Sequence, residues 1–196
     1  ISITAFGIQG EIELRRNACK SGDVILTTGI HGLSKLGFLI KNKINLDNDI
    51  SLKKRLISKS IEHFCRPKVY PNFLKNLIKT RSNKKIKRIG CTDSSDGLFQ
   101  ALQDLASASK CKAIINYEKI PKDKDWPRGD KWDEYYFFGG EDYELVFSLP
   151  KKWAKNLSKL DKNINEIGFF ADGEPTIEFK DNNKNKLLTN SPFKHF

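Results

Sequence analysis

Residues 86–91 form a short strand pattern that runs directly into Asp93-Ser94-Ser95-Asp96-Gly97. Beyond it Leu98, Ala101, Leu102, Leu105 and Ala106 repeat at the spacing of one helical face. The acidic pair is thereby fixed at a strand-to-helix turn, the edge of two packed layers. Two readings of that turn are open. In one, Ser94 or Ser95 caps the helix and the acids complement its dipole. In the other, two carboxylates three residues apart at a positive helix end share a Mg²⁺, which takes one or two carboxylates and completes its shell with water and phosphate oxygens. Bare carboxylates repel phosphate, whereas a bound cation turns them into its docking point.

A second acidic segment, Gly139-Gly140-Glu141-Asp142-Tyr143-Glu144, leads into an apolar strand over 143–149 that Pro150 stops. By itself it also reads as a Gly-Gly turn with solvated acids. The remaining pattern is α+β. Ile1, Ile3 and Ala5 alternate with polar residues as a half-buried strand does, and 24–28 is a strand running into a glycine turn at Gly29. Leu33, Leu36 and Ile40 mark one helix face. Leu52, Leu56, Ile57, Ile61 and Phe64 mark another, which stops before Pro67. Further strands are expected at 113–117, 164–170 and 176–179, with a helix at Trp153 and Leu157. Polar stretches at 42–49, 121–131 and 181–185 read as loops. The middle one carries Trp126, with Trp132 just after it, and is either a lid over a pocket or a plain surface connection.

A chain of 196 residues with 38% hydrophobic content supports one substantial core without disulfide or metal staples. The net charge of +11 invites a nucleic-acid reading. Only 7 of the 35 basic residues are Arg, however, and they are scattered, which argues against phosphate-backbone or base recognition. Cys19, Cys65, Cys91 and Cys111 form no C-x-x-C pair and read as reduced, mostly buried thiols. No apolar run approaches the roughly 18 to 20 residues that span a bilayer, and no signal-peptide pattern is present, so a cytoplasmic setting is expected.

In chain order the acidic segments have company. Arg16, Lys20, Gly22 and Asp23 come first, then Thr28-Gly29-Ile30-His31-Gly32-Leu33-Ser34, then His63-Phe64-Cys65-Arg66-Pro67, and at the end Phe193-Lys194-His195-Phe196. This set resembles the thiamine-monophosphate kinase family, part of a superfamily with aminoimidazole ribonucleotide synthetase and selenophosphate synthetase. The resemblance runs from the first strand to the last residue. The G-G-E-D-Y-E run and the terminal aromatic-x-H-F are specific to the kinase, whereas D-x-S-D-G-L is shared more widely. The chain departs from the usual R-x-G-A-K-P-G-D at Ala18, Cys19 and Ser21, and has His31 where the family usually has Leu.

The resemblance implies the carboxyl-terminal domain of the synthetase-like fold, a mixed sheet with helices packed on one side. Residues 1–14 would be the last strand of an amino-terminal domain and 15–196 the carboxyl-terminal domain. That amino-terminal half, with a G-D-D-A metal cluster and much of a homodimer interface, would be missing. The implied reaction is ATP-dependent phosphorylation of thiamine monophosphate to thiamine diphosphate with Mg²⁺, and the chain alone is expected to be inactive. Matching the motifs residue by residue, Asp93 and Asp96 would bind Mg²⁺, Arg16 and Ser95 the nucleotide, and Glu141 and Phe193 the thiamine moiety. Asp142 and Tyr143 would shape the turn. The alternatives are another ATP-using enzyme of the superfamily, or an inactive fragment or binding module.

Overall fold

The computed structural model describes residues 2–4, 6–8, 10–44 and 52–180. Its centre is a seven-stranded mixed sheet in the order β1-β3-β5-β2-β6-β4-β7. The strands are β1 (Glu13–Arg15), β2 (Val24–Thr28), β3 (Arg88–Asp93), β4 (Lys112–Ile115), β5 (Leu145–Leu149), β6 (Ile164–Ala171) and β7 (Ile177–Phe179). Only β1 with β3 and β4 with β7 are parallel pairs; the four inner pairings are antiparallel. Six α-helices connect them: α1 (Leu33–Lys41), α2 (Lys54–Cys65), α3 (Phe73–Thr80), α4 (Leu98–Ser109), α5 (Asp130–Phe138) and α6 (Lys151–Leu160). The α+β class and the mixed sheet are as expected.

The side-chain period of two along the strands explains the layering. On β2, Ile25 faces one core while Val24 and Leu26 face another; on β5, Val146 and Phe147 divide in the same way. The first core collects Leu33 and Leu36 of α1, Leu56 of α2, the apolar stripe of α4, and Trp132, Tyr136 and Phe137 of α5. The second takes Phe73 and Leu77 of α3 with Trp153, Ala154 and Leu157 of α6. Helices therefore cover both faces rather than one. β2, β5 and β6 are apolar on both sides, and each apolar face has to be withdrawn from water.

The amino end differs from the sequence expectation. No strand forms among described residues 2–4 and 6–8, and Ile3 is 88% exposed. Alternation alone cannot hold a strand that lacks a hydrogen-bonding neighbour. The first strand is β1, which pairs with β3 through Glu13, Leu14 and Arg15, behind a buried Ile12. The 121–131 stretch is not a detached lid either. Trp126 and Trp132 are buried edge-to-face with ring centroids 6.0 Å apart, and Asp123 is bound by Arg55 and Lys59.

Candidate functional site

β3 ends at Asp93, and the turn that follows is pinned to the start of β5. The Ser94 N–H donates to the Glu144 carbonyl at 2.9 Å, and the Glu144 N–H donates to Ser94 Oγ at 3.1 Å. Ser94 thus locks two loops together and does not cap α4. The N-cap of α4 is Gly97, and no side chain caps it. Gly97 has φ +94, and a Cβ there would stand 3.0 Å from the Phe137 carbonyl oxygen and 3.2 Å from that of Gly139. The acidic turn and the Gly139-Gly140 turn are consequently in backbone contact, and the Glu141 N–H donates to the Ser95 carbonyl at 2.7 Å.

Within the second turn Glu141 and Tyr143 both occupy the left-handed region, at φ 67 and 53. Such conformations cost non-glycine residues free energy and persist where surroundings hold them. The holding group is Asp142, fully buried, whose carboxylate accepts from the Gly32 N–H at 2.6 Å and the Ser34 N–H at 2.9 Å. A carboxylate from another segment thereby fills the amino end of α1, where donors are unpaired and the dipole is positive. Burial pushes the Asp142 carboxyl up to about 6, against those hydrogen bonds.

His63 lies between the two buried acids of this turn. Its Nδ1 is 3.7 Å from Asp142 Oδ1 and 3.0 Å from Ser34 Oγ, and its Nε2 is 3.5 Å from Glu144 Oε1. Glu144 also accepts from Thr28 Oγ1 at 2.6 Å and from the Tyr70 hydroxyl at 2.5 Å. Burial alone would raise Glu144, but the bonds from His63, Thr28 and Tyr70 outweigh it and hold the carboxyl below its usual range. Nearby His31 is fully buried, with Nε2 2.7 Å from Thr27 Oγ1 and no partner for Nδ1; burial pushes it down to about 4. The sequence motifs contained both histidines but gave no sign that one would bridge Asp142 and Glu144. That pairing is set by the packing of α2 on α1, whose Ser34 hydroxyl meets His63 Nδ1.

The Tyr143 hydroxyl stands on the outward side of the second turn. It donates to Glu141 Oε2 at 2.7 Å, and that bond, with partial burial and the charges of Glu141, Asp93 and Asp96, pushes it up to about 12. Glu141 and the Asp93–Asp96 pair, far apart in sequence, are brought to one edge of the fold by the backbone bond between their turns. Asp93 and Tyr143 also line an apolar groove of about 680 Å³ walled by Leu14, Val69, Leu74 and Leu145. Hard oxygen donors of this kind fit a Mg²⁺ that keeps phosphate and water ligands. Among the described residues no group of three or more His, Cys, Asp or Glu could hold a metal ion by itself.

Arg16 stands beside this turn, with Nε 3.2 Å from Thr92 Oγ1 and a guanidinium nitrogen 3.4 Å from Asp104, its side chain 60% exposed. Lys20 and Asp23 close a local turn, the Lys20 N–H donating to Asp23 Oδ2 at 3.1 Å. Phe193 and His195 lie outside the described residues. Cys19, Cys91 and Cys111 are buried and Cys65 is exposed, all free thiols; burial pushes Cys91 up to about 12, which makes it inert.

This sheet, with its acidic strand-to-helix turn, belongs to a defined class: residues 20–178 match the family model AIR synthase related protein, C-terminal domain, and the chain is a member of that family. Within it, the chain is 32% identical over 196 residues to thiamine-monophosphate kinase of Prochlorococcus marinus, covering 100% of this chain and 59% of that protein. It is 32% identical over 204 residues to the enzyme of Nitrosopumilus maritimus, with 60% of that protein covered. The chain thus spans about three fifths of the length of these relatives. The fold matches the solved thiamine-monophosphate kinase of Stenotrophomonas maltophilia with a TM-score of 0.68 at 22% identity, over 85% of this chain and 52% of that one. It also matches AaThiL complexed with AMPPCP and TMP, with a TM-score of 0.62 at 24% identity, over 84% of this chain and 50% of that one.

Proposed function

We propose that this chain is the carboxyl-terminal part of an enzyme that transfers the γ-phosphoryl group of ATP to thiamine monophosphate, giving thiamine diphosphate. The observation that carries the reading is the backbone bond that joins the Asp93–Asp96 turn to the Glu141 turn, with Asp93 and Tyr143 lining one apolar groove and the Tyr143 hydroxyl bound to Glu141. The names of the sequence relatives, and the AMPPCP and TMP bound by AaThiL, agree with it.

The acceptor is a phosphate oxygen, largely ionised near neutral pH because the second pKa of a monoester is about 6, so no strong general base is required. The obstacle is repulsion between two anions, and catalysis rests on positioning and charge neutralisation. Asp93 and Asp96 would hold Mg²⁺, which supplies that neutralisation. Arg16, always charged and mostly exposed beside the turn, would contact nucleotide phosphate, and Ser95 would contact the nucleotide. Glu141 would face the thiazolium cation, Phe193 would add an aromatic face to it, and the apolar groove would take the rings. The protein would act as a homodimer in its complete form.

The test compares nucleotide binding by Asp93→Asn and Asp96→Asn variants in Mg²⁺ and in EDTA, alongside thiamine diphosphate formation. Each variant should lose about tenfold or more in Mg²⁺ and little in EDTA. Equal losses in both conditions would reduce the turn to a structural element. The 196-residue chain alone should form no thiamine diphosphate, since a partly assembled metal shell forfeits positioning.

A further inference from the structure

A second cavity, of about 590 Å³, is lined by His63 and falls within the range of small-molecule sites. Its lining brings together Lys59 of α2, Arg66 and Lys68 just beyond it, and Lys162 at the approach to β6. In sequence these cations are scattered over more than a hundred positions, so only the fold gathers them. Two carboxylates, Glu62 and Glu144, also line the cavity. The bonds from Thr28, Tyr70 and His63 keep Glu144 ionised, so it and Glu62 count against the cations of the lining. Lys59 is spoken for by Asp123, 2.7 Å away.

Arg66, Lys68 and Lys162 have no ion pair among the described residues. Arg66 has a partial explanation, since a cation at the carboxyl end of α2 complements the helix dipole. That leaves Lys68 and Lys162, on different segments, converging on the same space. Like charges held around a cavity raise its potential and draw an anion into it. The same cavity has apolar lining from Ile30, Leu33 and Pro121.

We propose that this cavity is a binding site for a small phosphate monoester with an apolar or aromatic body, the phosphate meeting Arg66, Lys68 and Lys162 and the body lying on Ile30, Leu33 and Pro121. It adjoins the apolar groove at Asp93, with Lys68 lining both, and the inference stands whether or not Asp93 and Asp96 bind metal. Phenyl phosphate and inorganic phosphate serve as probes, titrated by calorimetry and by amide chemical shifts on the whole protein without added divalent metal.

Phenyl phosphate should bind at least tenfold tighter than inorganic phosphate, with shifts centred on His63, Asn163 and Asn165, which line the same cavity. The exposed pair Arg66→Gln/Lys162→Gln should weaken it at least tenfold with an unchanged melting curve. Asp93→Asn should leave binding as it was. A control pair on the exposed face of α6, Lys151→Gln/Lys155→Gln, removes the same charge elsewhere. Equal weakening by the control pair would mean that net charge alone attracts the probe, and shifts centred on 93–97 would mean that it occupies the acidic turn. Either result, or equal affinity for the two probes, overturns the proposal.

Discussion

His31 is a buried imidazole at a position where the resemblance leads one to expect Leu, and its unpartnered Nδ1 makes charging it costly. Burial holds it near 4, whereas in the unfolded chain it titrates near its ordinary value of 6.5. The native state therefore keeps it neutral, and the unfolded state gains the proton first as pH falls. Its contribution is complete above about 6.5 and is lost towards about 4, with a slope of at most about 1.4 kcal/mol per pH unit. Asp142, raised to about 6 by burial, has the opposite sign: its component is present below about 4 and lost as pH rises through about 6. A comparison with His31→Leu isolates the histidine. Urea denaturation at pH 7 and pH 5 should show the parent losing stability relative to the variant on acidification; a constant difference would exclude the assignment. Asp142→Asn should cost about 1 to 3 kcal/mol at pH 7, because the amide cannot accept from both Gly32 and Ser34. Asp93, Asp96, Glu141 and Arg16 could be picked out from sequence because they sit in short motifs. The partners of Asp142 could not, since Gly32, Ser34 and His63 are brought to it by tertiary packing.

At the scale of elements, α1, α2, α4 and α6 announce themselves by a 3.6-residue apolar period, and each forms within a few residues of its expected place. α3 carries the same signal in Phe73, Leu74, Leu77 and Ile78, but in only eight residues behind Pro71. α5 hides because aromatic residues crowd both its buried face and its flanks, so no polar stripe marks its period. The contact between the two acidic turns belongs to this scale too. It depends on Gly97, whose positive φ sets the α4 amino end against the Phe137 and Gly139 carbonyls. Gly97→Ala should therefore destabilise the chain by about 1 to 3 kcal/mol in denaturant titration. It should also lower the affinity for Mg²⁺-nucleotide, if the turns act together as proposed. A variant as stable as the parent would mean that the two turns are independent.

For the whole molecule, the two cores share one sheet, and β2, β5 and β6 answer to both at once. That arrangement bears on where the folded unit begins. The resemblance puts a boundary between residues 14 and 15, whereas in the fold Ile12 is buried, Glu13, Leu14 and Arg15 pair with β3, and Glu13 bridges Arg88 at 2.7 Å. Described residues 2–4 and 6–8 pair with no strand, and Ile3, Phe6 and Ile8 are 88%, 95% and 101% exposed. Two truncations separate these cases. A chain beginning at Gly10 should unfold at nearly the same urea concentration as the 196-residue chain, because little apolar area leaves water through the removed residues. A chain beginning at Arg16 loses a buried isoleucine, worth about 1.5 to 3 kcal/mol, together with the edge pairing that protects β3. Its midpoint should fall measurably, and β3 amides should exchange faster with deuterated solvent. Equal midpoints for the two truncations would support the boundary at residue 15 and make β1 an appendage of the sheet rather than part of it.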